Sequence, residues 1–211
     1  IMKRIILTSL LILIFGVTFS QDRLHMVGVR AAYNISGVDF TPPMEQMTIK
    51  TYKNYSLLYT YYHPLWKTMP YFGIQSGVSI QEQGYIKDNK ELRMTAVEIP
   101  FVSQFHVDFW KMRVLLNAGG FAGYRVSKKV TDVTNGSLVT DKFDNFDQRG
   151  DFGFIGGGGL AFILKPFEIQ IECNYQYSLS NLYHPKKYSE MDLQFTYPHQ
   201  LLISAALFIH L

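Results

Sequence analysis

Between Phe167 and Leu179 the chain alternates without a break. Phe167, Ile169, Ile171, Cys173, Tyr175, Tyr177 and Leu179 share one parity, and Glu168, Gln170, Glu172, Asn174, Gln176 and Ser178 share the other. Successive side chains of a strand point to opposite faces, so this segment predicts one wholly apolar face and one wholly polar face. Strands of soluble proteins usually run to about 5–6 residues, whereas a tilted strand crossing a bilayer needs about 9–11. An alternation this long fits a strand that crosses.

The pattern recurs along the chain, at 24–34, 71–85, 93–107, 112–126 and 201–211. Two further segments are blurred. Residues 52–62 carry Leu58 and Tyr62 on the polar parity, and 151–164 are interrupted by glycines. Eight segments predict an all-β fold, an eight-stranded antiparallel transmembrane β-barrel of up-and-down topology. An even count lets the sheet close with both ends of the chain on one side. Closure also pairs every backbone N–H and C=O within hydrocarbon, which an open sheet cannot do.

The first 20 residues are set apart from the fold. Lys3 and Arg4 precede the apolar run Ile5 to Val17, and Thr18 and Ser20 put small side chains before Gln21. That is the anatomy of a cleavable signal peptide. The other reading, a membrane anchor, requires about 20 apolar residues, more than this run holds. The expected organisation is therefore a signal peptide at 1–20 and a barrel at 21–211. Cys173 is the single cysteine, so no internal disulfide forms. Removing Lys3 and Arg4 from the 20 basic residues leaves 18 against 17 acidic ones. So balanced a chain is not expected to bind nucleic acid. Beyond the leader no stretch reaches 18 consecutive apolar residues, which argues against helical spans.

The segments between alternations give an orientation. Residues 35–51, 127–149 and 180–198 read as long connections and 86–91 as a modest one. His63–Pro70, Asp108–Lys111 and Lys165–Pro166 read as shorter turns. Outer-membrane barrels have short periplasmic turns and longer external loops. Both termini are accordingly expected in the periplasm and the long loops outside. Trp66 and Trp110 then fall in periplasmic turns as one interfacial aromatic girdle, with Tyr33, Tyr52, Tyr55, Tyr124 and Tyr177 supplying the other.

Parity places Arg30, Arg113, Arg125, Glu98, Glu168, Gln170 and Glu172 inside the barrel. Eight strands leave a lumen just wide enough for side chains, and an unpaired buried charge is costly. The expectation is a plug of ion pairs and hydrogen bonds; a narrow ion path or proton relay is the alternative.

No catalytic, cofactor-binding or metal-binding residue is assigned, and the chain is expected not to be an enzyme. Gly156–Gly159 lacks the following Lys-Ser/Thr of a phosphate loop and reads as a strand that bends or packs closely. The six histidines show no metal spacing. His184 with Glu190 and Asp192 is the cluster that would suit a small barrel enzyme. Pro100 within a strand reads as a local bulge. Phe40, Met44, Met47, Leu138, Phe143, Phe146, Leu193 and Phe195 place apolar groups in the connections, where they either form a contact surface or fold onto the rim.

VEIPFVSQF at 97–105 resembles the Glu-Ile-Pro strand of PorT-like outer-membrane β-barrel proteins of the Bacteroidetes. GVRAAYNISGVDF at 28–40, YFGIQSGVSIQEQGY at 71–85, RVLLNAGGFAGY at 113–124 and FDQRGDFGFIGGGGLAF at 146–162 are similar to other strands of that family, in the same order. The resemblance implies an outer-membrane location. It also implies a non-enzymatic structural or protein-binding role, for some members in type IX protein secretion. The expected partners are outer-membrane lipid, the barrel-assembly machinery and other envelope proteins that meet the loops or outer wall. A last strand ending on Leu211 resembles the signal which that machinery reads.

Overall fold

The computed structural model describes residues 24–63, 72–184 and 194–211. The segment expected to be a signal peptide, and Trp66, lie outside these residues. Nine strands follow one another: β1 (Leu24–Thr41), β2 (Met47–His63), β3 (Phe72–Lys87), β4 (Lys90–Phe109), β5 (Met112–Asp132), β6 (Leu138–Thr140), β7 (Gly150–Leu164), β8 (Phe167–Ser178) and β9 (Phe195–His210). Eight of them form a closed antiparallel ring in chain order, and β6 is a three-residue appendage on β5. The seam pairs β1 with β9 from Met26↔His210 to Thr41↔Phe195. The expected eight-stranded up-and-down barrel is the architecture observed.

The strands run further than the alternation. β1 continues to Thr41 and β2 begins at Met47, so most of 35–51 is strand. The connection expected at 86–91 shrinks to Asp88 and Asn89, whose φ values of 50° and 58° suit a two-residue hairpin. β5 reaches Asp132, and β9 starts at Phe195. The reason is physical. Alternation of hydrophobicity records where one face meets lipid, whereas backbone pairing continues past that band into water, where both faces can be polar. The connections after β1, β3, β5 and β8 gather at one end, here the loop end. The start of β1, the end of β9 and the turns at Trp110 and Pro166 lie at the other, the terminal end. Trp110 is 90 % exposed on that rim.

Pro100 makes no bulge. Pairing of β3 with β4 is interrupted between Ser76↔Phe101 and Ser79↔Glu98, yet the register is the same on both sides. The Ser76 hydroxyl donates to the Pro100 carbonyl at 2.8 Å. The strand thus tolerates the missing amide by skipping rungs. The shift in β4 lies instead at Thr95/Ala96, against β5.

The two faces sort as parity predicts. Val29, Leu57, Ile99, Leu116, Phe154 and Ile171 are more than half exposed on the outer wall. At about 3.3 Å per residue and a tilt of about 40°, Phe167 to Tyr177 covers roughly 25 Å of depth, the height of a barrel's apolar band. The glycine-rich strand is close-packed. A Cβ on Gly159 would sit 2.2 Å from the Ile171 carbonyl oxygen, whereas one on Gly156 would meet nothing within 4 Å. Gly159→Ala is therefore expected to lower stability by about 1–3 kcal/mol and Gly156→Ala to leave it within about 0.5 kcal/mol, measured by urea unfolding in detergent. Equal effects would show that close approach is not what the glycines serve.

Candidate functional site

The lumen is the most densely organised part of the molecule, built as three arginine–carboxylate layers between apolar ends. Arg30, Arg113, Arg125, Glu98, Glu168, Gln170 and Glu172 all point inward, as parity predicts. At the terminal end the Arg113 guanidinium meets Asp108 twice, Nε to Oδ1 at 2.7 Å and Nη2 to Oδ2 at 3.2 Å, and reaches Glu168 at 3.2 Å. His210 Nε2 lies 3.0 Å from the same Glu168 oxygen, and His106 Nδ1 lies 2.9 Å from Asp108. The Arg113 guanidinium sits 5.0 Å from the Tyr62 ring centre, and the Tyr62 hydroxyl donates to Gln104.

In the middle layer Arg30 pairs with Glu172 at 3.2 Å. Amides extend this pair: Gln104 donates to Glu172 and to Asn117, Asn117 to Asn174, and Asn174 back to Glu172. A central cavity of about 20 Å³, lined in part by Arg30, Asn54, Gln81, Asn117, Gln176 and Ser204, has room for little more than a water molecule.

The third layer holds the rim. Arg125 is fully buried and pairs with Asp151 at 2.9 Å. Its Nη1 donates to the carbonyls of Gln148 and Gly150 at 2.9 and 3.1 Å, and to that of Asn181 at 3.4 Å. One lumenal side chain therefore binds the connection before β7 and the connection after β8. Those two connections also bind each other, through a bridge between Asp147 and Tyr183 and through the amides of Gln148 and His184. Lys128 pairs with Asp147 on the same rim. Above lies an apolar cap of Val38, Phe40, Tyr85, Leu92, Met94, Leu182 and Tyr183, against which Met44 and Phe143 pack. Met26, Leu58, Tyr62, Ala206 and Phe208 close the terminal end in the same way. Among the described residues these layers of ion pairs and amides fill much of the lumen, the arrangement expected of a plug.

Sequence reasoning missed Asp151 and Asp108. The first opens the strand whose glycines hide its parity, and the second ends β4 next to a turn. The apolar residues of the connections divide. Phe40, Met44 and Phe143 fold onto the rim, while Met47, Leu138, Phe146 and Phe195 stay exposed; Leu193 lies outside the described residues. So do Glu190 and Asp192. His184, the third member of that cluster, binds through its amide to the Phe146 carbonyl.

Arg125→Leu is expected to cost about 3–5 kcal/mol, because it leaves Asp151 buried without its cation. Arg125→Leu with Asp151→Leu should recover most of that loss. Urea unfolding followed by heat-modifiable gel mobility measures both. A double variant as unstable as the single would locate Arg125's contribution in the loop carbonyls rather than the ion pair.

Solved structures of similar shape include Neisserial surface protein A, with a TM-score of 0.51 and 11% identity, covering 88% of this chain and 96% of that one. The outer membrane enzyme PagL gives a TM-score of 0.47 at 13% identity, covering 85% and 97%. The attachment invasion locus protein Ail of Yersinia pestis gives 0.40 at 14%, covering 88% and 99%. At such identities the likeness to Neisserial surface protein A concerns fold alone, and the two lower scores carry no argument. No curated protein matches the sequence. The sequence does match the outer membrane protein beta-barrel domain over residues 19–184, most of the chain. With its closed eight-stranded ring and apolar outer wall, the chain belongs to the outer membrane protein beta-barrel domain family.

Proposed function

We propose that this barrel is a non-enzymatic structural or protein-binding subunit of the outer membrane, acting through its rim and outer wall rather than through its lumen. The observation that carries this reading is the double role of the loop end. Arg125 and the Asp147–Tyr183 bridge tie together the described residues of two connections, the one before β7 and the one after β8, while Met47, Leu138, Phe146 and Phe195 remain exposed at the same end. A preorganised surface loses little freedom on binding, and exposed apolar groups supply the contact. In the orientation proposed here the termini are periplasmic and this rim is extracellular. The resemblance to PorT-like proteins extends the reading to a component of type IX secretion, with envelope proteins as partners.

Two measurements test it. Purified barrel in planar bilayers is expected to add no steady conductance, since buried ion pairs and apolar ends fill the lumen; a stable open level would sink the closed-lumen reading. Crosslinking in intact cells should join the rim to another envelope protein, and Met47→Ser with Phe146→Ser should abolish that product. A barrel recovered alone, with cargo secretion unchanged on gene deletion, would leave a stand-alone structural role.

A further inference from the structure

At the terminal end a tryptophan stands where the backbone asks for glycine. The hairpin from β4 to β5 turns in two residues, Trp110 and Lys111, closed by the pair Phe109↔Met112. Trp110 is left-handed, with φ at 56°, and Lys111 is not. A two-residue turn with a left-handed first position ordinarily carries glycine there, because a Cβ in that region crowds its own backbone. Among the described residues the other non-glycine positions of this kind, Asp88 and Asn89, use short polar side chains that tolerate it. Trp110 gains no burial in exchange, being 90 % exposed. Strain kept without packing is the mark of a group held for a contact outside the fold.

The neighbouring turn completes a crevice. β5 and β7 pair beside it at Met112↔Phe162, and the Ile163 amide donates to the Lys111 carbonyl at 2.8 Å. The turn at Lys165 and Pro166 is thereby fixed against the turn at Trp110. Between them lies a crevice of about 480 Å³ lined by Trp110, Lys111, Ile163, Leu164 and Lys165, room for a lipid headgroup rather than for a lone water or ion. Both lysines are exposed, and the Lys111 ammonium lies 5.4 Å from the Trp110 ring centre. The carboxylates that adjoin the two turns, Asp108 and Glu168, are already bound by Arg113, His106 and His210. The crevice therefore keeps two positive charges. It opens where the apolar wall ends, since Phe109 and Leu164, the last outward residues of β4 and β7, are both more than half exposed.

We infer that this crevice holds the headgroup of an anionic phospholipid. The phosphate sits between the Lys111 and Lys165 ammoniums, the Trp110 indole lies in the interfacial layer beside it, and the acyl chains run up the wall from Phe109 and Leu164. Three features select this occupant. Two ammoniums without a free carboxylate match an anion. An indole favours the layer between hydrocarbon and water. The outward apolar residues that adjoin the crevice match acyl chains, which neither a soluble anion nor an acidic protein would bring. Lysine stems lie along such a wall and carry their charge to the headgroups. In the orientation proposed above, on which the choice of leaflet rests, this rim meets the periplasmic leaflet.

Native mass spectrometry of the detergent-released barrel with phosphatidylglycerol or phosphatidylethanolamine, at equal concentrations, tests the inference. The wild type is expected to retain phosphatidylglycerol about tenfold better, the scale of two lysines at an anionic surface. Lys111→Gln with Lys165→Gln should erase that preference. Lys129→Gln with Lys142→Gln, an equal change of net charge at exposed positions of the loop end, should keep it. Trp110→Gly should weaken retention of both lipids alike, with wild-type heat-modifiable mobility. Equal retention of the two lipids by the wild type, a preference that survives Lys111→Gln with Lys165→Gln, or one lost equally in both double variants overturns the charged site. Loss of normal mobility in Trp110→Gly makes the tryptophan structural and overturns its part in the site. Displacement of phosphatidylglycerol by an equal concentration of glycerol phosphate overturns the lipid assignment. The purified barrel reports binding in either orientation, so failure here leaves the reading of the loop end standing.

Discussion

A ring of eight strands cannot hold a guanidinium in water, and the rest of this structure follows from that. Each arginine that parity sends inward must find its carboxylate inside, and each does: Arg113 with Asp108 and Glu168, Arg30 with Glu172, Arg125 with Asp151. Arg125–Asp151 and Arg113–Asp108 join paired neighbouring strands, and Arg30–Glu172 and Arg113–Glu168 each reach across one intervening strand, so the pairs tie neighbouring parts of the wall to one another. Their value lies less in net stability than in specificity. Burying an ion pair gains little over burying apolar groups, but a wrong register would strand a charge.

The uppermost pair has a second effect. By donating to the loop carbonyls of Gln148 and Asn181 and to that of Gly150 at the start of β7, Arg125 couples the order of the rim to the order of the lumen. Connections at the end of a barrel ordinarily belong to the mobile part of a fold. Here two of them share a buried donor, a backbone bridge and an apolar cap. The lumen thus serves the rim, which is why the proposed function rests on the surface while the densest chemistry lies inside.

The sequence was legible where a single physical cause set the pattern. Phe167 to Ser178 could be read residue by residue because lipid lay on one side and the packed lumen on the other. That same cause made the inward arginines and glutamates identifiable. It failed where the cause changed. Past Asn34 in β1 and past Val126 in β5 the outer face leaves lipid, so alternation fades while pairing goes on, and strand reads as loop. Asp151 escaped because glycine has no side chain with which to declare a face. Pro100 was assigned a bulge because a missing donor was expected to shift the register, whereas the ladder simply skips rungs there.

That pairing has a consequence for assembly. β1 and β9 are the first and last strands of the ring, and their sixteen-rung seam joins the most distant described parts of the chain. Until β9 is in place, β1 and β8 each present a long bare edge, the form of sheet most prone to pair with the wrong partner. Closing a contact of such high sequence separation is also slow. A ring with seven strands joined and the last one missing is open at that one gap, and the sixteen rungs of the seam are what close it.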